Sequence, residues 1–277
     1  MMWNGTVGMI GAGNMADALV RGLLGRGVVT PDRCLMTNRS NDARLARFAR
    51  EWTVTTTRDK ARLVRDADAV VLAVKPADVP DVLRDIAPHV EARHLVISVA
   101  AGVPIETIER ALRTAAVVRA MPNTSTAVGA SATAVCAGRR AGDRHLGIVR
   151  ALFEAVGRVV VVPEHFFDAV TGLSGSGPAY VYLLAEAMVE AAQHEGLDRE
   201  VALDLVAQTV LGAGKMLVET GEDPAVLRAR VTSPGGTTMA GVEALIEGGV
   251  PAAVRRAIAR ATRRAGELRG APPVRSR

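Results

Sequence analysis

Aromatic residues are scarce in this 277-residue chain, Phe, Tyr and Trp together making 3%. With Ala, Val and Leu dominating, the composition favours close-packed helices over a stacking surface. Lysine is nearly as rare. Lys60, Lys75 and Lys215 are its only examples, so the net charge of +5 is carried by arginine. Those arginines are scattered among acidic residues, without a basic run or interleaved aromatics. That argues against nucleic acid as the main partner and suits phosphate-bearing small molecules. Cysteine is limited to Cys34 and Cys136. Both sit in apolar, strand-like contexts without metal-ligand spacing, so no metal is expected, only two buried, reduced thiols in a cytosolic protein. No N-terminal signal is visible and no apolar run approaches the length that spans a bilayer. A soluble, cytoplasmic protein without a membrane partner is therefore expected.

What is present is apolar. Hydrophobic residues make up 49% of the chain, enough to bury a large core and form two domains, with disorder expected only over residues 270–277. Near the N-terminus, an apolar strand runs through Ile10-Gly11-Ala12-Gly13-Asn14-Met15-Ala16 into a helical stretch. This is the Gly-x-Gly-x-x-Ala form of a dinucleotide fingerprint. Gly11 allows the tight turn, Gly13 lets a pyrophosphate approach the backbone, and Ala16 keeps the helix close to the strand. The next strand ends in Thr37-Asn38-Arg39-Ser40. An NAD site usually carries an acid here for the ribose 2′-hydroxyl; a neutral position followed by Arg39 suits a 2′-phosphate, so NADPH is expected, with NADH possible. Ser40 is also read as the cap of a helix over 41–50.

Continuous apolar runs at 69–74, 95–99 and 116–121, and two more at 131–136 and 158–162, alternate with helical stretches. The pattern indicates a doubly wound parallel sheet of Rossmann type covered on both faces. Loops at the strand ends, Ala73-Val74-Lys75-Pro76, Ala100-Ala101-Gly102 and Met121-Pro122-Asn123, should line a cofactor crevice. Small residues there leave room for a nicotinamide ring, and Asn123 is placed to bond its carboxamide. Lys75 reads equally as a phosphate or ring contact and as a helix-start charge.

After Pro163 the strand pattern stops. Helices are expected at 178–195, 199–220, 224–231, 237–247 and 251–268, with Asp198 and Asp223 as caps and Gly196 and Gly221 as stops. The domains are thus 1–163, for the dinucleotide, and 164–277, all-helical. Three of the helices are apolar on most faces and exceed what a domain of this size can bury. The economical answer is an obligate homodimer, with Gly212 and Gly214 permitting close backbone contact. The segment Val231-Thr232-Ser233-Pro234-Gly235-Gly236-Thr237-Thr238 opens one of these helices. Its glycines leave backbone N–H groups bare for an anion, and its hydroxyls are read as caps or ligand contacts.

These motifs, together with Gly-Leu-Ser-Gly-Ser-Gly-Pro-Ala-Tyr at 172–180 and Ser-Pro-Gly-Gly-Thr-Thr at 233–238, resemble the pyrroline-5-carboxylate reductase family end to end. The resemblance implies NAD(P)H-dependent reduction of 1-pyrroline-5-carboxylate to L-proline, the last step of proline synthesis. It also implies a swapped helical dimerisation domain and often a decamer of five dimers. The implied substrate set is Val231, Ser233, Gly235, Gly236, Thr237 and Thr238, with the Thr238 hydroxyl on the ring nitrogen. Two departures stand out. Arg58-Asp59-Lys60 replaces a stretch where relatives carry an adenosine-contacting Asn, leaving Lys60 as a further 2′-phosphate contact, and Ala229 replaces an acid.

Two other readings compete. A β-hydroxyacid dehydrogenase would need a lysine shortly after Gly175-Ser176-Gly177, where this chain has Pro178-Ala179-Tyr180-Val181-Tyr182, so alcohol oxidation lacks its base. A non-catalytic NADPH sensor would not need the Ser-Pro-Gly-Gly-Thr-Thr segment. The five histidines, His89, His94, His145, His165 and His194, read as helix-end or surface residues.

Overall fold

The computed structural model describes residues 3–270. All of the expected disordered tail beyond Gly270 lies outside the described residues. The chain separates into two compact units. One comprises the chain to Ser176 together with the part from Arg260 onward, and the other is Gly177–Ala259.

The first unit alternates short apolar strands with helices. β1 (Val7–Ile10) precedes α1 (Asn14–Gly25), β2 (Cys34–Thr37) precedes α2 (Asp42–Trp52), and β3 (Thr55–Thr56) precedes α3 (Lys60–Asp66). β4 (Ala69–Leu72), α4 (Val79–Ile86), β5 (Leu95–Ser98), α5 (Ile105–Ala111) and β6 (Ala116–Met121) follow. β7 (Ser131–Ala137), α6 (Asp143–Glu154), β8 (Gly157–Val161) and the short α7 (Phe167–Val170) complete the series. The eight strands form one sheet in the order β3-β2-β1-β4-β5-β6-β7-β8. Every residue of β1, β2, β4 and β5 is buried. Along β4, Ala69 and Val71 join a cluster with Leu19 and Leu23 of α1 and Phe48 of α2, whereas Val70 and Leu72 join Leu63 of α3 and Leu83 and Ile86 of α4. Alternate side chains thus enter two cores on opposite faces, which is why these strands read as unbroken apolar runs.

The strands from β3 to β6 pair parallel, as expected. The far edge does not: β7 runs antiparallel to β6, and β8 parallel to β7. The cause is the connection. β6 and β7 are joined through a single 3-10 turn, Thr124–Val128, closed by Gly129 at φ 72°. That is too short for the crossover a parallel pair needs. At the other edge, β3 is too short to show any periodicity. Ser40 is not the cap of α2. The Asn41 side chain accepts from the Arg44 N–H at 2.9 Å, so the helix begins one residue later than expected.

The second unit contains α8 (Gly177–His194), α9 (Arg199–Thr220), α10 (Pro224–Arg230), α11 (Thr237–Glu247) and the start of α12 (Val250–Gly270). Its punctuation follows the sequence. The Asp198 carboxylate accepts from the Glu200 N–H at 2.8 Å, that of Asp223 accepts from Ala225 at 2.7 Å, and Gly221 ends α9 in the left-handed conformation. α8 and α9 pack through a small cluster around Val189, Ala202 and Val206. The 22-residue α9 contains an 18-residue window of mean hydropathy 1.5, long and apolar enough to cross a membrane, contrary to the expectation that no run approaches that length. Its scattered charges, Asp204 and Lys215 among them, divide the apolar residues into short stretches that hide its average.

Candidate active site

Local chemistry shapes the turn after β1. Gly11 has φ 110°, and a Cβ placed there would lie 2.3 Å from the Ala73 carbonyl oxygen, so only glycine fits. The Gly11 N–H donates to the Thr37 carbonyl at 2.8 Å, tying the turn to the end of β2. Gly13 occupies the cap position of α1 without any side-chain cap, and nothing lies within 4 Å of where its Cβ would be. Ala16 is fully buried in the core beneath. An uncapped helix N-terminus facing open space at Gly13 fits a pyrophosphate.

Around this turn lies a cleft of about 320 Å³ lined by residues 10–13, 38–41 and 73–75, with Arg44, Lys60, Asp78, Asp81, Val82 and Asp85. It therefore brings together Ile10, Gly11, Ala12, Gly13, Asn38, Arg39, Ser40, Lys60, Ala73, Val74 and Lys75. Asn14, Met15, Thr37, Pro76, Ala100, Ala101, Gly102 and Asn123 lie outside this lining. Thr37 is fully buried. Arg39 sits 3.1 Å from Asp78, Lys60 pairs with Asp85, and Arg58 pairs with Asp42 while also donating to the Asn38 carbonyl at 2.9 Å. Sequence reasoning passed over Asn41, Arg44 and the three aspartates. The spacing of Asn41 and Arg44, cap and third helical residue, was the available signal for the first two.

Asn123, expected to bond a carboxamide, makes two hydrogen bonds within the protein. Its Oδ1 accepts from the Ser125 N–H at 3.2 Å, and its Nδ2 donates to the Ser174 carbonyl at 3.0 Å. Each end of the amide thus makes one bond and keeps capacity for another. Ser174 belongs to a π-helical turn, Thr171–Gly175, that forms part of the Gly-Leu-Ser-Gly segment. Such turns are frequent at functional sites, and Asn123 braces this one against the end of β6.

Nearby, Arg119 is 2% exposed on β6 and pairs with Glu164 at 3.0 Å while lying over the Phe167 ring. Glu164 also accepts from the Ile105 N–H at 2.8 Å. An arginine inside an apolar run was the sequence signal for this buried pair. Both thiols are free and buried, and burial pushes each up to about 12, so neither is a nucleophile at neutral pH. His94 departs from expectation: it is fully buried, its Nδ1 accepting from the Glu91 N–H at 2.7 Å.

In the second unit, Val231, Ser233, Gly235, Thr237 and Thr238 are exposed and Gly236 is half-buried. Gly235 takes φ 71°, and Gly236 is the cap of α11 with no side-chain cap bond. The expected capping hydroxyls are therefore not caps. The turn closes through the backbone, with the Gly236 N–H donating to the Ser233 carbonyl at 3.0 Å, and the Ser233 hydroxyl packs against Gly236, 2.4 Å from where a Cβ would sit there. An 11-residue helix whose first turn is uncapped presents bare N–H groups and the positive end of its dipole, a site for a carboxylate.

Comparison with known proteins gives two matches. Residues 164–268 match the model for pyrroline-5-carboxylate reductase dimerisation, and residues 6–102 match that for NADP oxidoreductase, coenzyme F420-dependent. The chain is 42% identical over 264 residues to pyrroline-5-carboxylate reductase 2 of Bacillus subtilis, covering 95% of each chain. A pyrroline-5-carboxylate reductase structure from Coxiella burnetii is similar at TM-score 0.92 and 40% identity, covering 96% of this chain and 99% of that one. A Plasmodium falciparum pyrroline carboxylate reductase, solved with NADP bound, is similar at TM-score 0.84 and 28% identity over 98% and 100%.

Proposed function

The chain belongs to the pyrroline-5-carboxylate reductase family, and from that membership we propose how its own residues reduce 1-pyrroline-5-carboxylate to L-proline. The reaction adds hydride to the carbon of a cyclic imine, and a bound nicotinamide supplies that hydride. The imine takes a proton from water to enter as the iminium; hydride bonding to carbon then returns the C=N π pair to nitrogen, leaving a neutral secondary amine with no covalent enzyme intermediate.

The protein has three tasks. It must hold the ring carboxylate, present the C=N carbon about 3–3.5 Å from the hydride donor, and exclude water. The observation that carries the assignment is the uncapped start of α11 behind the positive-φ Gly235. Its free N–H groups take the carboxylate, with Ser233, Gly235, Gly236 and Thr237 around it and Val231 alongside. The Thr238 hydroxyl accepts from the N–H of the iminium and so orients the ring. Residues 10–15 hold the pyrophosphate, and residues 37–40 with Lys60 hold the adenosine ribose. The strand-end loops at 73–76 and 100–102 flank the nicotinamide. Asn123 acts there as a brace of the π-helical turn.

The neutral Asn38 followed by Arg39 supports NADPH over NADH. The proposed division of labour is cofactor binding in 1–163 and substrate binding and dimerisation in 164–277, and the match to the dimerisation model beginning at residue 164 supports it. The protein is a homo-oligomer. We take its unit to be a domain-swapped dimer, five of which would form a decamer, working in the cytoplasm without nucleic-acid or membrane partners.

A steady-state assay with 1-pyrroline-5-carboxylate tests the whole reading. Turnover should be substantial with NADPH and weaker per unit of cofactor with NADH. Cofactor binding without turnover would support a sensor instead.

A further inference from the structure

The cofactor cleft holds four basic residues, Arg39, Arg44, Lys60 and Lys75. Arg39 and Lys60 face carboxylates within the cleft itself. Arg39 is 3.1 Å from Asp78, and Lys60 pairs with Asp85. A phosphate arriving at either must compete with an acid already in place.

Arg44 differs. Its guanidinium donates through Nη2 to the Asn14 side-chain oxygen at 2.8 Å, and among the described residues it has no carboxylate partner. Its Nε is buried without a hydrogen-bond acceptor. A buried N–H on a charged group is costly to leave unmet, and such atoms call for a missing partner. The position is also defined. Asn14 is the first residue of α1, and the Arg44 N–H is bound by Asn41, the cap of α2. Arg44 therefore ties together the two helix starts that flank the ends of β1 and β2, where a dinucleotide's ribose must lie in this fold.

The geometry points to Arg44 as the residue that selects a 2′-phosphorylated dinucleotide. The inference rests on the NADPH reading above and names the group that enforces it. A monoester phosphate carries nearly two negative charges at neutral pH, and a guanidinium whose Nε–H is unmet has a charge-assisted bond to offer it. Arg39, on the surface and paired with Asp78, contributes second.

Calorimetric titration with adenosine 2′,5′-bisphosphate and adenosine 5′-monophosphate tests this on the whole protein without any turnover. The two probes differ only in the 2′-phosphate. The wild type should prefer the bisphosphate. Arg44→Gln should reduce that preference by about tenfold or more, leave the monophosphate affinity unchanged, and melt close to the wild type. Arg44→Lys should retain part of the preference, and Arg39→Gln should lose less of it than Arg44→Gln. If Arg44→Gln keeps the full preference, or weakens both probes equally, Arg44 is a brace for Asn14 and the inference fails while the NADPH reading stands. A wild type indifferent to the 2′-phosphate would remove the NADPH reading, and the inference with it.

Discussion

The two units solve the burial problem in opposite ways. In the first, the central strands vanish between two hydrophobic layers, and even charged Arg119 is satisfied internally by Glu164. In the second, the apolar cluster amounts to Val189, Ala202 and Val206 with a few partly buried neighbours. Leu183 is 67% exposed, Leu211 62% and Val218 64%. Nothing lies within 4 Å of where a Cβ would sit on Gly212 or Gly214. A sheet clothed by its own helices completes its core within one chain, whereas this helical unit leaves its surplus apolar surface for a second copy. The match to a dimerisation model over 164–268 agrees with that lesson.

The sharpest way to break the contrast is Leu211→Arg. On a surface that stays wet the change would be worth within about 0.5 kcal/mol either way. Buried against a second chain it strands an unpaired charge, costing about 3–5 kcal/mol of association. Sedimentation should show dissociated protein at micromolar concentration with most activity lost, while near-native urea unfolding of the first unit persists. An unchanged, active oligomer would mean that this face of α9 is not the interface.

A smaller effect separates substrate from cofactor. Thr238→Ala should lower kcat/KM for the imine roughly ten- to a hundredfold, about 1.4–2.7 kcal/mol, with NADPH affinity hardly changed. The Thr238 hydroxyl plays no part in capping α11, so thermal stability should hold. Wild-type turnover in a folded oligomer would remove Thr238 from the mechanism and leave the carboxylate site alone.

Most of this architecture was legible in the sequence, and the exceptions share a cause. Unbroken apolar strands and Asp or Gly at helix ends report local choices, so α9 and α11 fall at their expected ends. The sense of β7 depends instead on what a five-residue turn can span. Motifs likewise named the residues of the cofactor turn, but the partners of Asn123 and Arg44 lie 51 and 30 positions away along the chain. A side chain's function in a site is settled by which of its atoms are already taken, and spacing along the chain carries none of that.

The least of the expected effects lies in the self-contained unit and concerns acid. His94 is fully buried, and burial, assisted by the neighbouring Arg93 charge, holds its imidazole below the usual histidine range. Geometry gives the same sign, since the Nδ1 lone pair that accepts from Glu91 is lost on protonation. An unfolded chain has no such obstacle and takes up its proton near pH 6.5. Below that pH the unfolded state binds more protons, so His94 contributes full stability above about 6.5 and progressively less as pH falls toward its lowered folded value. Urea unfolding of the oligomer between pH 7.5 and 5.5, followed by the first unit's Trp3 and Trp52, should show this loss, and His94→Gln should flatten its slope while lowering stability at neutral pH. An identical slope in the variant would assign the acid sensitivity to other groups and leave His94 a packing residue only.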